Sequence, residues 1–171
     1  MLLRHELALT YDGARLALDA AILRAEELGV AVNVAVTDTA GGLLAFARMD
    51  GAFVGSGSIA QDKAWTVSAF GGVATDDFYD AIAGEDPVRE GIGRREGVAA
   101  FGGGVPIILG GGSVGAVGVS GGSAAQDKDI ASAGAAAVVA GVAGVAGSTP
   151  LNSCRTFTER THHDPVHAAS R

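Results

Sequence analysis

The sequence predicts an α/β (α+β) fold in which a five-stranded antiparallel sheet is flanked by helices. Short apolar runs that are typical of strands occur in two groups along the chain, with helical patterns before, between and after them. The connections between neighbouring strands are short and rich in glycine, as antiparallel pairing allows. A length of 171 residues suits one domain with a single core. We therefore expect one layered α/β domain.

The first helix is predicted to begin after Thr10 and to end before Gly29. Threonine is a favoured N-cap residue, and glycine is favoured at the C-terminal cap. Leu16, Ala20 and Leu23 lie on one face at positions i, i+4 and i+7, which predicts an amphipathic surface helix with this face toward the core.

A β-hairpin is predicted next, followed by a second helix. Valines alternate with other residues over 32–37, and turn-forming residues occupy 38–42. A further apolar run follows over 43–48, which completes the hairpin. A glycine-rich connection then leads to a helix predicted from 58 to 70.

The segment 75–97 is rich in charged residues, and we expect one or two short helices there that cover the sheet edge as a lid. Three more strands are predicted at 98–101, 105–109 and 114–119, separated by glycine triplets. A last helix is predicted from Ser123 onward. The second group of strands therefore forms an antiparallel meander.

Charge and cysteine content exclude several classes of function. The net charge of −7, without a basic stripe, argues against binding to nucleic acid, which depends on clustered Lys and Arg. Cys154 is the single cysteine, so the chain forms no intrachain disulfide. The first residues lack the apolar run of a secretory signal, and we expect a cytoplasmic protein.

The core is expected to be thin, because aromatic residues make up only 5% of the chain and glycine contributes 27 residues. Helices and strands with small side chains can also approach each other closely, which is a common way for subunits to pack. We therefore expect a homo-oligomer that buries part of the apolar surface.

The chain from 130 to 151 carries no charge, a length that could span a bilayer. Ala, Gly, Val and Ser dominate it, however, and their apolar drive is weak, so we predict a buried helix and no membrane contact.

We assign 1–146 to the domain and 147–171 to a tail that is partly disordered or contacts a neighbouring subunit. The tail histidines have a ligand-like spacing, but we interpret them as a solvated end and predict no metal site: His162, His163 and His167.

Two six-residue segments, 58–63 and 123–128, share the pattern Ser-x-x-Gln-Asp-Lys. Ser-x-x-Gln is the spacing of a capping box, which predicts a helix start at Ser58 and at Ser123. A helix N-terminus beside flexible glycines offers free amides to an anion, although ordinary capping is the alternative. Lys63 lies next to apolar residues and is a candidate for a lowered pKa, whereas Lys128 is predicted on a solvated face.

A second hypothesis concerns acid–base chemistry. Arg48 would clamp a substrate carboxylate beside Asp50, and Lys63 or Glu96 would move a proton. The alternative is a surface ion pair of Arg48 with Asp50 and glycines that only serve tight turns. The remaining candidates would bind the ligand beside these groups or hold an oxyanion with their amides: Asp62, Phe101, Gly102, Gly103, Gly104, Gly121, Gly122 and Ser123.

Several motifs occur in the order and spacing of a known family over roughly residues 5–140. They are Asp38-Thr39-Ala40-Gly41-Gly42-Leu43 with Phe46-Ala47-Arg48-Met49-Asp50-Gly51-Ala52, Asp62-Lys63-Ala64, Phe101-Gly102-Gly103-Gly104-Val105-Pro106-Ile107, and Gly115-Ala116-Val117-Gly118-Val119-Ser120-Gly121-Gly122 with Gln126-Asp127. In these motifs the chain resembles the GlcG/HbpS-like family. Four motifs in register are more specific than one glycine run.

The resemblance implies a profilin-like sandwich, assembly into oligomers up to octamers, and heme as a possible cofactor, with the ligand held near glycine loops at a subunit interface. It also implies relatives that resemble lyases. The residues themselves add little for heme, since the histidines lie outside the matching motifs and only Met49 within them offers an axial ligand. Three functions stay open: a small-ligand or heme-binding protein, a cofactor-independent lyase or isomerase acting on a small carboxylated or aromatic compound, and an oligomeric scaffold.

Overall fold

The computed structural model describes Leu2 and residues 6–146. These residues form five helices and four strands in the order α1 (Tyr11–Leu28), β1 (Asn33–Asp38), β2 (Leu43–Arg48), α2 (Ser56–Ala69), α3 (Thr75–Ile82), α4 (Asp86–Gly93), β3 (Gly104–Leu109), β4 (Gly112–Ser120) and α5 (Ala124–Ala146). The predicted tail, with Cys154 and the three tail histidines, lies outside the described residues, as does His5.

The four strands form one antiparallel sheet with the order β2-β1-β4-β3. Helices α1 and α5 pack on one face, where they enclose the main core together with valines of β1 and β4. Helix α2 packs on the other face through Ala60 and Ala64, which contact Ala35 of β1. The predicted antiparallel α/β fold is therefore confirmed.

The predicted fifth strand is wrong in the described part of the chain, where 98–101 is an irregular loop. Threonine hydroxyls occupy backbone groups that a strand would use for a ladder. The Thr66 hydroxyl accepts from the Ala99 amide at 3.0 Å, and the Thr75 hydroxyl donates to the Phe101 carbonyl at 2.7 Å. Strand β3 consequently forms the edge of the sheet.

The caps of α1 are as predicted, but its buried face is not. The Thr10 hydroxyl accepts from the Gly13 amide at 3.3 Å, and Gly29 ends the helix. Leu16 and Leu23 are exposed, and the helix buries four alanines against α5 instead: Ala14, Ala17, Ala21 and Ala25. Small side chains let the two helices pack closely, and Leu16 lies at the edge of the contact, beside Gly141 of α5.

Helix α2 begins two residues before the predicted position, at Ser56. Ser58 therefore lies inside the helix, and its hydroxyl donates to the Gly55 carbonyl at 3.2 Å. The predicted capping box at this position is wrong. The box at α5 is confirmed, because the Gln126 side chain accepts from the Ser123 amide at 3.0 Å and the Ser123 hydroxyl accepts from the Gln126 amide at 3.3 Å.

The charged segment after α2 forms two short helices, α3 and α4, as predicted. Helix α3 contacts the edge strand β3. The uncharged segment continues α5, whose Ile130 and Val138 are buried against the sheet layer. Within residues 6–146, no helix has the combined length and apolar character that a membrane span requires.

Candidate functional site

The site is built around a buried ion pair at the end of the sheet where β4 runs into α5. Lys63 of α2 donates from Nζ to Asp127 Oδ2 at 2.9 Å and to the Val119 carbonyl at 2.8 Å. The two side chains are only 1% and 4% exposed. Charges in such a position are stable only when their hydrogen bonds are satisfied. The pair therefore fastens α2 to the start of α5 and to the end of strand β4.

Asp127 is held in place from its other oxygen. Its Oδ1 accepts from the Gly122 amide at 2.9 Å. The capping box of Ser123 with Gln126 fixes the same turn of α5. Gly121, Gly122 and Ser123, all predicted as ligand contacts, thus build the connection that orients Asp127.

Close packing of α2 on β4 brings Lys63 to this depth. A Cβ at Gly118 would lie 2.1 Å from the Ala60 carbonyl oxygen and 2.6 Å from the Ala64 nitrogen. Any larger residue in this strand position would push the helix off the sheet. The glycine of the predicted motif therefore sets the distance that lets Lys63 reach Val119.

The Lys63 ammonium is engaged on three sides. Besides Asp127 and Val119, it lies 4.7 Å from the centre of the Phe101 ring, which is a cation–π distance. Burial lowers the pKa of Lys63, and the hydrogen bond and negative charge of Asp127 oppose that shift. In this geometry the three contacts occupy the Lys63 ammonium, so its predicted role in proton transfer stays a prediction.

The loop from Phe101 to Gly104 passes directly over this ion pair. Gly103 has φ +122°, and a Cβ there would lie 2.6 Å from the Val119 carbonyl oxygen and 2.7 Å from Lys63 Nζ. Only glycine fits both the conformation and the space. Phe101, two residues before Gly103, contacts the Lys63 ammonium and still has about half of its surface exposed.

Phe101 forms a wall of an aromatic groove, which we define by Phe101, Gly102 and Tyr79 and by the residues around them. One part of the groove measures about 260 Å³ and is shared with Asp76, Asp80 and Ala100. The other part, of about 230 Å³, extends along Tyr79 and Phe101 to the following lid residues and their neighbours: Ile82, Arg89, Gly93 and Val98.

The lid is tied to the loop beside this groove by hydrogen bonds and to α5 by an ion pair. The Thr75 hydroxyl donates to the Phe101 carbonyl and accepts from the Gly104 amide at 3.0 Å. Lys128 pairs with Asp76 at the start of α3. Burial by itself raises the pKa of Asp76, but the Lys128 hydrogen bond and backbone amides outweigh it and lower that pKa. The lid is therefore anchored at its first turn.

Asp62 and Glu96 lie in a separate acidic groove of about 280 Å³, which also includes Trp65, Gln61 and Leu43. Burial raises the pKa of Asp62, and the negative charge of Glu96 raises it further. These two predicted residues are thus brought together. The Trp65 ring provides an aromatic wall, with about two fifths of its surface exposed.

Arg48 and Asp50 lie in a third groove, together with Ile22, Glu26 and Met49. Both side chains are exposed, and Arg48 donates to the Ala52 carbonyl at 3.3 Å. The groove residues do not include Lys63, Asp62 or Glu96. The structure therefore does not join the predicted acid–base residues in one groove, and their shared action stays a prediction.

A further groove, of about 630 Å³, lies at the opposite end of β4, near the β3–β4 turn. Hydroxyl groups and glycines line much of it, including Thr39, Ser68 and Ser113. The hydroxyls of Ser68 and Ser113 already donate to backbone carbonyls. Lys63, Asp127 and Phe101, which connect the aromatic groove to the buried ion pair, are not among the residues that line this groove.

Sequence reasoning missed Asp127, Thr75 and Tyr79 as parts of the site. The repeated hexapeptide contained a signal for Asp127, because Lys63 of the first copy pairs with Asp127 of the second. Thr75 and Tyr79 lie in the lid, and no local pattern indicates which of its residues face the loop. Among the described residues, no group of three His, Cys, Asp or Glu side chains is placed to hold a metal ion.

The fold and the site define a class of small antiparallel α/β domains in which a glycine loop and an aromatic groove lie at one end of the sheet. The chain belongs to the HbpS-like family, since the family model described as haem degrading protein HbpS-like matches residues 9–136. An uncharacterized 15.0 kDa protein from the dhaT–dhaS intergenic region of Citrobacter freundii is 36% identical over 124 residues, which are 72% of this chain and 87% of that protein.

Solved structures agree with this assignment. Protein ORFY of Klebsiella pneumoniae is 31% identical with a TM-score of 0.74, and the match covers 82% of this chain and 97% of ORFY. A double mutant of HbpS from Streptomyces reticuli is 33% identical with a TM-score of 0.70, covering 78% and 89%. The PduOC:heme complex is 34% identical with a TM-score of 0.69, covering 77% and 95%.

Proposed function

We propose that the protein binds heme, or a related planar tetrapyrrole, in the aromatic groove. The observation that carries the proposal is that Phe101 and Tyr79, both about half exposed, share one groove beside a glycine of the fixed loop. Flat aromatic walls suit a large planar ring. The crystal structure of a relative as a PduOC:heme complex supports this choice of ligand.

The chemistry of the groove fits heme in three respects. Phe101 offers a ring face for stacking, with its neighbour Gly102 in the lining of the same part of the groove. Tyr79 brings a phenol oxygen, which is an established type of axial ligand to heme iron. Arg89 is half-buried in the same groove, where it pairs with Asp86 at 2.8 Å and donates to the Ala83 carbonyl at 3.2 Å, and its remaining N–H groups suit a propionate. The bound iron would supply any redox chemistry.

Each part of the groove is open, so one chain covers only one side of a planar ligand. Ligands of this size usually have most of their surface buried. We therefore propose that a second copy covers the other side, which places the ligand at a subunit interface. Saturation at one heme for every two chains would support this arrangement, and saturation at one heme per chain would contradict it.

The test is a titration of the protein with hemin, followed by its Soret band. We expect saturation at a fixed stoichiometry and weaker binding for Phe101→Ala. Phe53→Ala is the matched control, because Phe53 is more exposed than Phe101 and lies outside both parts of the groove. Tyr79→Phe should shift the Soret maximum if the phenol oxygen binds iron. A titration without saturation, or equal losses in the Phe101 and Phe53 variants, would contradict the proposal.

A second candidate function, a cofactor-independent lyase or isomerase, is favoured by the acidic groove. Asp62 has a raised pKa beside Glu96, which suits a general acid, and Trp65 offers a surface for an aromatic substrate. Two carboxylates repel a carboxylated compound, so a neutral or cationic aromatic substrate fits better.

Trp65 is the single tryptophan of the chain and reports directly on the acidic groove. We expect benzylamine to quench its fluorescence and benzoate to have little effect. Asp62→Asn should weaken the benzylamine response, while Asp50→Asn, in another groove, should leave it unchanged. Equal responses to the two compounds would count against this candidate.

A further inference from the structure

The loop that presents Phe101 is fastened from two sides. Lys63 and Asp127 support it from below, where Gly103 lies against Lys63 Nζ. Thr75 fastens it from the lid, because its one hydroxyl donates to the Phe101 carbonyl and accepts from the Gly104 amide. Thr75 is completely buried and is the first residue of α3.

The Thr75 hydroxyl spans the residues on both sides of the tight bend. Its partners are three residues apart, and Gly103 between them has a positive φ. A hydroxyl that serves as donor and acceptor at once fixes the distance between these two backbone groups. Without it, the buried Gly104 amide and the partly buried Phe101 carbonyl would each lose this partner, and the loop would have to move to regain one.

The contact also connects the lid with the groove. Tyr79, four residues after Thr75, lies one helical turn farther along α3 and lines the same groove as Phe101. Both aromatic walls are thus set by elements that meet at one hydroxyl. A shift of α3 relative to the loop would change the gap between Phe101 and Tyr79.

We infer that Thr75 is a positioning residue of the aromatic groove, which sets the spacing of Phe101 and Tyr79 for a planar ligand through its hydroxyl. This inference rests on the proposed function of the groove. Thr75 itself does not touch the ligand, and it acts through the Phe101 carbonyl and the Gly104 amide.

The test compares Thr75→Val, which has nearly the same shape without the hydroxyl, with Thr75→Ser, which keeps it. We expect the hemin dissociation constant to rise roughly tenfold in Thr75→Val, since a mispositioned wall loses contact with the ligand, and to return to within about threefold of wild type in Thr75→Ser. Thr66→Val is the matched control. Thr66 is also fully buried and holds the same loop at Ala99, away from the Phe101 carbonyl.

An unchanged affinity in Thr75→Val, or the same loss in Thr66→Val, would overturn the inference and leave Thr75 as a residue of general stability. If Thr75→Val does not fold, Thr75→Cys provides the comparison, because a thiol is a weaker hydrogen-bonding group.

A second readout separates this inference from the proposed function. Amide hydrogen exchange at Gly104 needs no ligand, and Thr75→Val should accelerate it at least roughly tenfold through loss of the acceptor, whereas Thr66→Val should not. If wild-type protein fails to bind hemin, the proposed function fails, and accelerated exchange at Gly104 still supports the positioning of the loop by Thr75. Unchanged exchange at Gly104 overturns it.

Discussion

The two copies of Ser-x-x-Gln-Asp-Lys have the same key residues and opposite structural roles. In the second copy Ser123 and Gln126 form a capping box, and Asp127 is buried. In the first copy Ser58 lies within a helix, and it is Lys63 that is buried. The buried members of the two copies pair with each other, while Asp62 and Lys128 lie in separate, more exposed surroundings.

The difference shows that a capping pattern works only where the preceding chain leaves the helix. Gly55, before the first copy, has helical dihedral angles, so the helix starts earlier. The Ser58 hydroxyl therefore does not accept a hydrogen bond from a free amide at the helix start. Before the second copy, Gly121 has φ +150°, so the backbone is not helical there and the helix begins at the capping box of Ser123 with Gln126. The same letters therefore have different partners.

The largest expected contrast is between the two aspartates. Asp127→Ala should lower the free energy of unfolding by about 3–5 kcal/mol, because it leaves the Lys63 charge buried without a partner. Asp62→Ala should change it by less than about 1 kcal/mol, since Asp62 makes no ion pair among the described residues. Urea unfolding of the two variants measures both values. Similar losses would mean that the buried pair has no special weight.

The two lysines should differ in the same direction. Lys63→Met should cost about 3 kcal/mol, since it leaves the Asp127 carboxylate buried with the Gly122 amide as its remaining partner. Lys128→Met should cost no more than about 1 kcal/mol, because its pair with Asp76 is partly solvated.

The double variant Lys63→Met/Asp127→Leu is the control for this contrast. It removes both charges, so it should recover much of the lost stability in urea unfolding. A double variant as unstable as the sum of the single ones would show that the two side chains act independently.

The two serines test the capping argument directly. Ser123→Ala should lower the unfolding free energy by about 1 kcal/mol through loss of the N-cap hydrogen bond. Ser58→Ala should leave it within about 0.5 kcal/mol, because its hydroxyl bonds only to a carbonyl within the same helix turn. Thermal unfolding followed by circular dichroism gives both numbers. A larger loss for Ser58→Ala would contradict the helix start at Ser56.

The smallest expected effect concerns pH. The pKa of Asp62 is raised in the folded state. The ionised carboxylate therefore lowers the stability of the folded protein above that pKa, and this cost disappears as the pH falls and the group is protonated. Asp62→Asn should therefore stabilise the protein slightly at pH 7, by less than about 1 kcal/mol, and change little at pH 3.

Asp76→Asn should behave in the opposite way, since the pKa of Asp76 is lowered. Its contribution is present above the unfolded pKa and is lost as the pH falls through the folded one, so the variant should be less stable at pH 7, and this deficit should be smaller at pH 3. Urea midpoints at the two pH values give the comparison. Parallel pH profiles for the two variants would mean that the environments of the two carboxylates do not differ.

Local patterns predicted the elements whose ends depend on neighbouring residues. Thr10 and Gly29 cap α1, and Ser123 caps α5, as expected. The hairpin of β1 and β2 follows from period-two alternation and turn residues. The fifth strand failed because Thr66 and Thr75, distant in sequence, occupy backbone groups of the 98–101 segment.

The candidate site could be predicted only in part. The glycine motifs located the loop from Phe101 to Gly104, because close backbone approach requires glycine wherever in the fold it occurs. The partner of Lys63 and the grooves that separate Arg48 from Asp62 depend on which faces the helices turn to the sheet. No spacing along the chain contains that information.

The fold class, the family and the position of the glycine loop follow from the order of residues alone, because alternation, capping and glycine placement act over a few residues. Which lysine and which aspartate of the repeated segment are buried depends instead on how the helices pack. A charge is tolerated in the interior only beside its partner. Lys63 and Asp127 meet because α2 packs closely on β4, where Gly118 has no side chain to keep the helix away.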